Sequence, residues 1–240
     1  MFDKYFEVFL ADTPESKEIH YSIRYKVYCE EMGFENKDDF PLEQEFDEYD
    51  SHSAHFIVRQ KQSGQWIATM RLIFKNDQLL PIEQHGILDK PIDKNDWGKT
   101  VEVSRLCVIK EIRRVLDGNP LYGLTDENKE TDKVKQLNNH HGINRRIIWG
   151  MLSAGSEYCY VNNILNWYSM TPTPLAKILQ KGGFNMSRIG KPVYHRGERY
   201  PYKNDVFETF HNEIWRTDYK NGYYTFSESE LFRKLEEKAA

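Results

Sequence analysis

TVEVSRLCVIKEIRR, residues 100–114, is the stretch whose reading decides the fold. Val101, Val103, Leu106, Val108 and Ile109 are β-branched or apolar, and Gly98 sets a turn just ahead of them, so the stretch reads as a buried strand. Glu102, Ser104 and Arg105 sit inside it. A period of two places Glu102 and Ser104 on one face and Arg105 on the other. Charges in so apolar a strand are costly to bury unless partnered, which leaves two open readings, a structural ion pair at the strand rim and a working carboxylate. Arg24, the acidic run Asp47-Glu48-Tyr49-Asp50 and Arg71, all upstream, favour the second.

A chain of 240 residues, 39% hydrophobic and 29% charged, is long enough for one large core and too apolar to be disordered. Fifteen Tyr and thirteen Phe exceed what a core needs, so aromatic pocket walls are expected as well. A net charge of −4 argues against non-specific nucleic-acid binding. Cys29, Cys107 and Cys159 lack CxxC spacing and read as reduced core fillers of a cytoplasmic protein. The opening MFDKYFEVFLAD shows no basic region followed by a long apolar run, so neither a leader nor a transmembrane segment is expected.

Outward from the key strand, Tyr5–Ala11 alternates as a strand. Asp12-Thr13-Pro14-Glu15 opens a helix to about Met32, where Gly33 stops it and where Arg24 and Tyr28 share a face. Between Glu30 and Asp50 stand ten acids against one base, Lys37, which reads as a solvated loop. Asp47 and Asp50 differ because they abut the next strand, where a loop can fold over a site. Asp47, Asp50, His52 and His55 lack the spacing of a metal motif, so no metal is expected. Residues 53–61 and 65–75 form a hairpin with Arg71 in an apolar setting, for which Glu102 is the expected partner. Residues 76–99 read as loop with one short turn at 82–85, and 117–139 as a polar surface insertion. A helix is expected from His141 or Gly142 to Tyr160 with Ile143, Ile147, Met151, Ala154 and Tyr158 on one stripe, then a strand at 164–170, a helix through Lys181 and two strand-like pieces to Tyr202. Ser227-Glu228-Ser229-Glu230 opens a last amphipathic helix with Leu231, Phe232 and Leu235 inward. The order β-α-β-β-β-α-β-α-β-β implies an α/β (α+β) fold, a mixed central sheet flanked by helices in a single domain. Residues 1–202 make the body and 203–240 an aromatic-rich C-terminal extension.

This order and these residues resemble the GNAT acyltransferase superfamily, and more narrowly the acyl-homoserine-lactone synthases. The likeness rests on Arg24 and Tyr28 in RYKVYCEEMGFE, Asp47 and Asp50 in DEYDSHSAHF, Arg71 in TMRLI, and Glu102 and Arg105 in EVSRLCVIKEIRR. Together with PVYHRGERYPY these stretches are most similar to the PEP-CTERM/exosortase-associated acyltransferases and the N-acyl amino acid synthases, over roughly residues 5–202. Phe34 stands where the family has a Trp. The Gly-rich pyrophosphate loop of ordinary GNAT enzymes is absent after the key strand, which leaves room for acyl carrier protein beside coenzyme A as carrier of the thioester.

The resemblance implies transfer of a fatty acyl group from a phosphopantetheine thioester to a small amine such as an amino acid, with no tightly bound cofactor. Such a reaction needs a base for the amine, donors for the developing oxyanion, a positioned acceptor and an apolar slot for the tail. Glu102 is the candidate base or amine-orienting group, with Arg71, Arg105 and Ser104 completing the catalytic set. Asp47 and Asp50 suit an ammonium and Arg24 a carboxylate. Tyr28, Phe34 and Tyr168 complete the substrate-binding set, Tyr168 as a proton donor to the departing thiolate. The Ile147, Met151, Ala154 and Tyr158 stripe, with Trp149, is a candidate wall for the tail slot. Lys110, Arg113, Arg114, Arg145 and Arg146 are candidates for docking an acidic carrier protein. Two other classes fit the same residues: a homoserine-lactone synthase using S-adenosylmethionine, and a non-catalytic acyl-binding or regulatory relative.

Overall fold

The computed structural model describes residues 2–113 and 133–231, and its elements follow the periodicity of the sequence. A short helix α1 (Phe2–Tyr5) leads into β1 (Phe6–Leu10). Helix α2 (Pro14–Arg24) is capped by Thr13, whose hydroxyl accepts from the Ser16 N–H, and Pro14 fills its first turn, where no amide partner is needed. The helix continues as expected to Met32, but Tyr25–Glu31 is wound as a π-helix, a form that clusters at functional sites. Gly33 ends it at φ +61°. There follow β2 (Ser53–Gln60), β3 (Trp66–Phe74), α3 (Pro81–His85), β4 (Ile87–Leu88), β5 (Thr100–Val108), α4 (Lys110–Arg113) and α5 (Lys133–Val161). The chain closes through β6 (Asn166–Thr171), α6 (Thr173–Lys181), β7 (Ser187–Arg188), β8 (Gly190–Lys191), β9 (Val193–Tyr194), β10 (Glu198–Asp205), α7 (Val206–Phe210), α8 (Trp215–Asp218) and β11 (Tyr224–Thr225).

One mixed sheet runs β11-β1-β2-β3-β5-β6-β10-β7, with β9 paired to β10. Only β5–β6 and β1–β11 are parallel among its pairings. Ala68, Met70 and Leu72 of β3 are buried on the face that receives α5, where Ile147, Met151 and Ala154 belong to the same core. Close contact there requires small residues. A Cβ added to Gly150 would stand 2.3 Å from the Phe2 ring. Gly150→Ala is therefore expected to lower stability by about 1–3 kcal/mol, even though alanine favours a helix, and urea unfolding measures it. The other face of the sheet carries Thr69, Arg71, Ile73 and His55 toward α2 and the acidic loop.

Three expectations change. The helix of the second half starts ahead of His141, so residues 133–139 of the expected surface insertion are helical, while 117–132 lie outside the described residues. Residues 76–99 are not plain loop: α3, β4 and a 3-10 turn at Lys94–Lys99 fold over the sheet. There Leu80, Ile82 and Ile92 bury against Tyr49, Ile73 and Tyr168. The tail beyond residue 203 is stitched into the body, since β11 pairs with β1 and Trp215 and Tyr219 lie in the main core. Its last helix is described over residues 226–231, and Phe232 and Leu235 lie outside the described residues. Cys29, Cys107 and Cys159 are buried and unbridged.

The key strand departs from ideal pairing on both sides. Against β3, Arg71 faces Ser104 and Thr69 faces Cys107, so Met70 alone spans both Arg105 and Leu106. This is a β-bulge, with Arg105 at φ +49°. Against β6 the parallel ladder runs from Thr100–Asn166 only to Val103–Ser169, although both strands continue. Beyond that point β5 and β6 part.

Candidate active site

The bulge corrects the alternation expected from the sequence. An extra residue turns Arg105 toward the face that carries Glu102 and Ser104, where it meets Glu45 at 2.8 Å and Asp47 at 3.1 Å. A left-handed arginine is strained, and it holds here because two carboxylates and the Tyr28 ring, 5.2 Å away, over-determine its position.

Arg105 belongs to a buried network of three guanidinium groups and three carboxylates. Arg71, expected to pair with Glu102, instead grips Asp47 through both terminal nitrogens, at 2.5 and 3.0 Å. It also donates to Asp50 at 2.7 Å and to Ser104 Oγ at 3.0 Å. Arg24, expected to take a substrate carboxylate, is fully buried and donates to Glu45 at 2.5 Å and Asp50 at 2.6 Å. The carboxylates of Asp47 and Asp50 are thus engaged by arginines rather than left for an ammonium, and they also cap the Glu48–His52 turn. Glu45, one of ten acids in a loop read as solvated, is 1% exposed and joins Arg24 to Arg105. Burial would raise its pKa, but the two guanidinium groups outweigh that and hold it at about 2. Asp50 is held far below the usual carboxylate range on the same balance, with His55 as a further donor at 3.0 Å. His20 packs edge-on against His55, and burial keeps it neutral.

Glu102 has a different environment. It is 2% exposed, and its carboxyl accepts from the Ile82 N–H at 2.8 Å, its one side-chain hydrogen bond among the described residues. Burial under the 76–99 segment pushes its pKa up to about 8, with Ile82 and Arg71 opposing. A carboxyl near 8 on a cavity wall is poised to exchange a proton near neutral pH.

Glu102 lines the smaller of two adjoining cavities. The smaller, about 110 Å³, is lined by Glu102, Ser104, Arg105, Tyr28, Arg199 and the stacked pair His85 and His195, with ring centroids 4.9 Å apart. The larger, about 340 Å³, fills the cleft where β5 and β6 part and shares Tyr28, Val103, Ser104, Arg105, Met170 and Arg199 with the first. Phe34 lines it. Beyond lies an apolar slot walled by Leu152, Leu175, Leu179, Phe184 and Met186. The stripe expected to line that slot is core instead, because α5 turns Ile148 and Leu152 toward the cavities and Ile147, Met151 and Ala154 toward the sheet. Tyr168 lines none of these cavities: β6 presents it beside Glu102, but Leu80, Ile82 and Ile92 cover it, which corrects its expected contact with substrate.

Lys110, Arg145 and Arg146 are exposed, and Arg145 adjoins Asn144 on the wall of the larger cavity. The side chain of Arg113 and the whole of Arg114 lie outside the described residues. Glu45, Arg199 and the histidine pair were missed from sequence. The His-Arg-Gly tripeptide at 195–197 was a usable signal for the latter, since it makes the turn between β9 and β10 that points His195 and Arg196 inward.

Residues 23–116 match the family model described as "Acetyltransferase (GNAT) domain". That span holds the whole polar network and Glu102. No curated protein matches the sequence. Among solved structures, a CoA-dependent acyl-homoserine lactone synthase, BjaI, determined with S-adenosylmethionine and isopentyl-CoA, is similar at TM-score 0.57 and 16% identity over 86% of this chain and 85% of that one. TofI, in a ternary complex with an inhibitor and MTA, is similar at TM-score 0.57 and 17% identity, covering 83% and 91% of the two chains. The acyl-homoserine-lactone synthase LasI follows at TM-score 0.53 and 15% identity, over 84% and 90%. With a matched acetyltransferase domain on this mixed sheet, the chain has a GNAT-like fold and is structurally similar to the acyl-homoserine-lactone synthases.

Proposed function

We propose that the protein is an N-acyltransferase that moves a fatty acyl group from a phosphopantetheine thioester to the amine of an amino acid or similar small molecule. The observation that carries this reading is the cleft between β5 and β6, which adjoins the small cavity lined by Glu102 on one side and an apolar slot on the other. The pantetheine arm lies between the parted strands, where backbone groups of residues 104–108 have no partner on β6 and where Asn144 Oδ1 is buried without a donor among the described residues. The acyl tail fills the slot beside Leu152 and Leu175. The amine enters the smaller cavity and Glu102 accepts its proton, directly or through one water. Nitrogen attacks the carbonyl carbon, the C–S bond breaks, and the proton returns to the departing thiolate. Ser104 Oγ accepts from Arg71 and retains its own proton to donate to the oxyanion. The likeness of the sequence to N-acyl amino acid synthases and exosortase-associated acyltransferases supports the same class. A cytoplasmic location goes with it.

Acyl carrier protein is the proposed carrier, because the exposed arginines beside the cleft suit its acidic surface. Incubating the purified protein with acyl carrier protein and coenzyme A thioesters, a mixed amine pool and S-adenosylmethionine, followed by mass spectrometry, tests the reaction. An N-acyl amine is the expected product. Acyl-homoserine lactone with methylthioadenosine assigns the protein to the other acyltransfer class, and absence of any product with unchanged thioester overturns transfer. Arg145→Glu with Arg146→Glu is expected to raise the KM for acyl carrier protein by about tenfold, more at low salt than at high salt because screening weakens the lost attraction. The KM for a short acyl-pantetheine is expected to stay within about twofold.

A further inference from the structure

We infer that Arg199 is the carboxylate anchor of the acceptor site, so that the amine taken by this protein is one bearing a carboxylate close to its nitrogen. The inference rests on the amine-acceptor reading above and names the chemistry of that acceptor. The sequence pointed to Arg24 for this role, and Arg24 is fully committed to Glu45 and Asp50. Arg199 stands apart from the other arginines around the site. Arg24, Arg71, Arg105 and Arg196 each pair with a carboxylate, Arg196 with Glu35. Arg199 donates to two backbone carbonyls, to His195 at 2.8 Å from Nε and to Met170 at 3.4 Å from Nη1, and no carboxylate of the described residues lies within ion-pair distance of it. It is half-buried and lines both cavities. Burial and the neighbouring Arg196 depress its pKa against a smaller opposing effect of Tyr28, the mark of a cation whose charge the protein itself does not balance.

The position selects the ligand. Arg199 and Glu102 lie on the walls of one small cavity. An amine delivered to Glu102 and a carboxylate delivered to Arg199 belong to one molecule if a short carbon bridge joins them. The guanidinium fork matches a carboxylate in geometry as well as in charge. A phosphate of the donor is the other anion available. It sits at the far end of the pantetheine arm from the sulfur, so it lies away from the cavity where sulfur and amine meet. The Nε bond to His195 and the longer Nη1 bond to Met170 fix the guanidinium plane and leave Nη2 without a partner among the described residues.

Calorimetric titration of the whole protein with a panel of α-amino acids and with the matching amino-acid amides tests the inference. It is run without donor and again with a non-transferring thioether analogue of acyl coenzyme A. At least one amino acid is expected to bind saturably, with its amide about ten- to a hundredfold weaker. Arg199→Gln is expected to remove that preference, leaving acid and amide alike, and Arg199→Lys to restore part of it. The affinity for the thioether is expected to be unchanged in both variants, and circular dichroism checks that each is folded. Equal binding of acids and amides by the parent, no saturable binding of any amino acid, or a preference that survives Arg199→Gln overturns the inference. So does a loss confined to the thioether, which assigns Arg199 to the donor. None of these readings requires turnover, so failure of acyl transfer and failure of the carboxylate anchor are separate results.

Discussion

Glu102→Gln is expected to fold as the parent does and to transfer acyl groups about ten- to ten-thousand-fold more slowly, the range that loss of a general base gives. The carboxamide keeps the shape and still accepts from the Ile82 N–H, so the backbone contact survives. What disappears is the titration. With Glu102 at about 8, the parent's rate is expected to climb with pH below that value and level off above it, whereas the variant retains only the titration of the acceptor amine. Stability moves the opposite way. The unfolded carboxyl releases its proton near 4.5 and the folded one near 8, so between these values the native state holds one proton more. Unfolding free energy therefore falls as pH rises through that window, by on the order of 5 kcal/mol from this group alone at about 1.4 kcal/mol per unit. The variant escapes that loss. It is expected to be more stable than the parent above pH 8 and to approach it near pH 4.5, in urea titrations at the two pH values. A variant that transfers as fast as the parent reduces Glu102 to a structural residue. One less stable than the parent at every pH removes the burial argument.

Arg24→Met is expected to destabilise the fold by about 3–5 kcal/mol, enough to unfold much of the protein at 37 °C. The methionine removes the charge, and Glu45 and Asp50 lose their shortest donors and remain buried. Glu45→Gln should lose less, because a neutral amide in that place leaves Arg24 with Asp50 and Arg105 with Asp47. Combining the two changes should destabilise by less than their sum, since Arg24→Met no longer strands a charge at position 45. Chemical denaturation of the two single variants and the double variant measures this, and strict additivity would mean that the network does not act as a unit. The acids also set a pH limit. Glu45 and Asp50 have folded pKa values depressed below their unfolded ones, so their stabilisation is present above the ordinary carboxylate range and is lost as pH falls toward about 2.

Much of the architecture was legible because it is local. The alternation of Ala68, Met70, Leu72 and Phe74 gave both the strand and its core face, and Thr13-Pro14 gave the helix start. Part of the clustering was legible too: Arg24, Arg71 and Arg105 converge with Asp47 and Asp50, though in other pairs, while Glu102 bonds to the Ile82 N–H. The pairing was not, because it depends on a property of two strands together. Nothing in VEVSRLCV says that Met70 will face two residues, and that one insertion moves Arg105 across the sheet and toward Glu45. Glu45 was illegible for the opposite reason: among ten acids, only the tertiary approach of two arginines distinguishes it. Tyr168 misled because alternation places it beside Glu102 correctly but is silent about the segment that covers it. The stripe on α5 misled because a helix packed on a sheet has apolar residues on more than one side, and only packing shows which side meets the cavity.

The short ladder between β5 and β6 has a mechanical consequence. From Val103 and Ser169 onward the sheet is two leaves, β11-β1-β2-β3-β5 and β6-β10-β7, sewn along four residue pairs at one end of the seam. Leaves joined at one end behave as a wedge. Whatever lies in the gap and bonds to both edges takes the place of a missing strand and stiffens the whole sheet. On the proposed reading, binding of a donor arm is then also an act of folding: it is expected to slow hydrogen exchange at the gap-facing amides of residues 104–108 and to raise the melting temperature by mass action. On the proposed reading, the seam that the thioester enters is also the seam that loading stiffens.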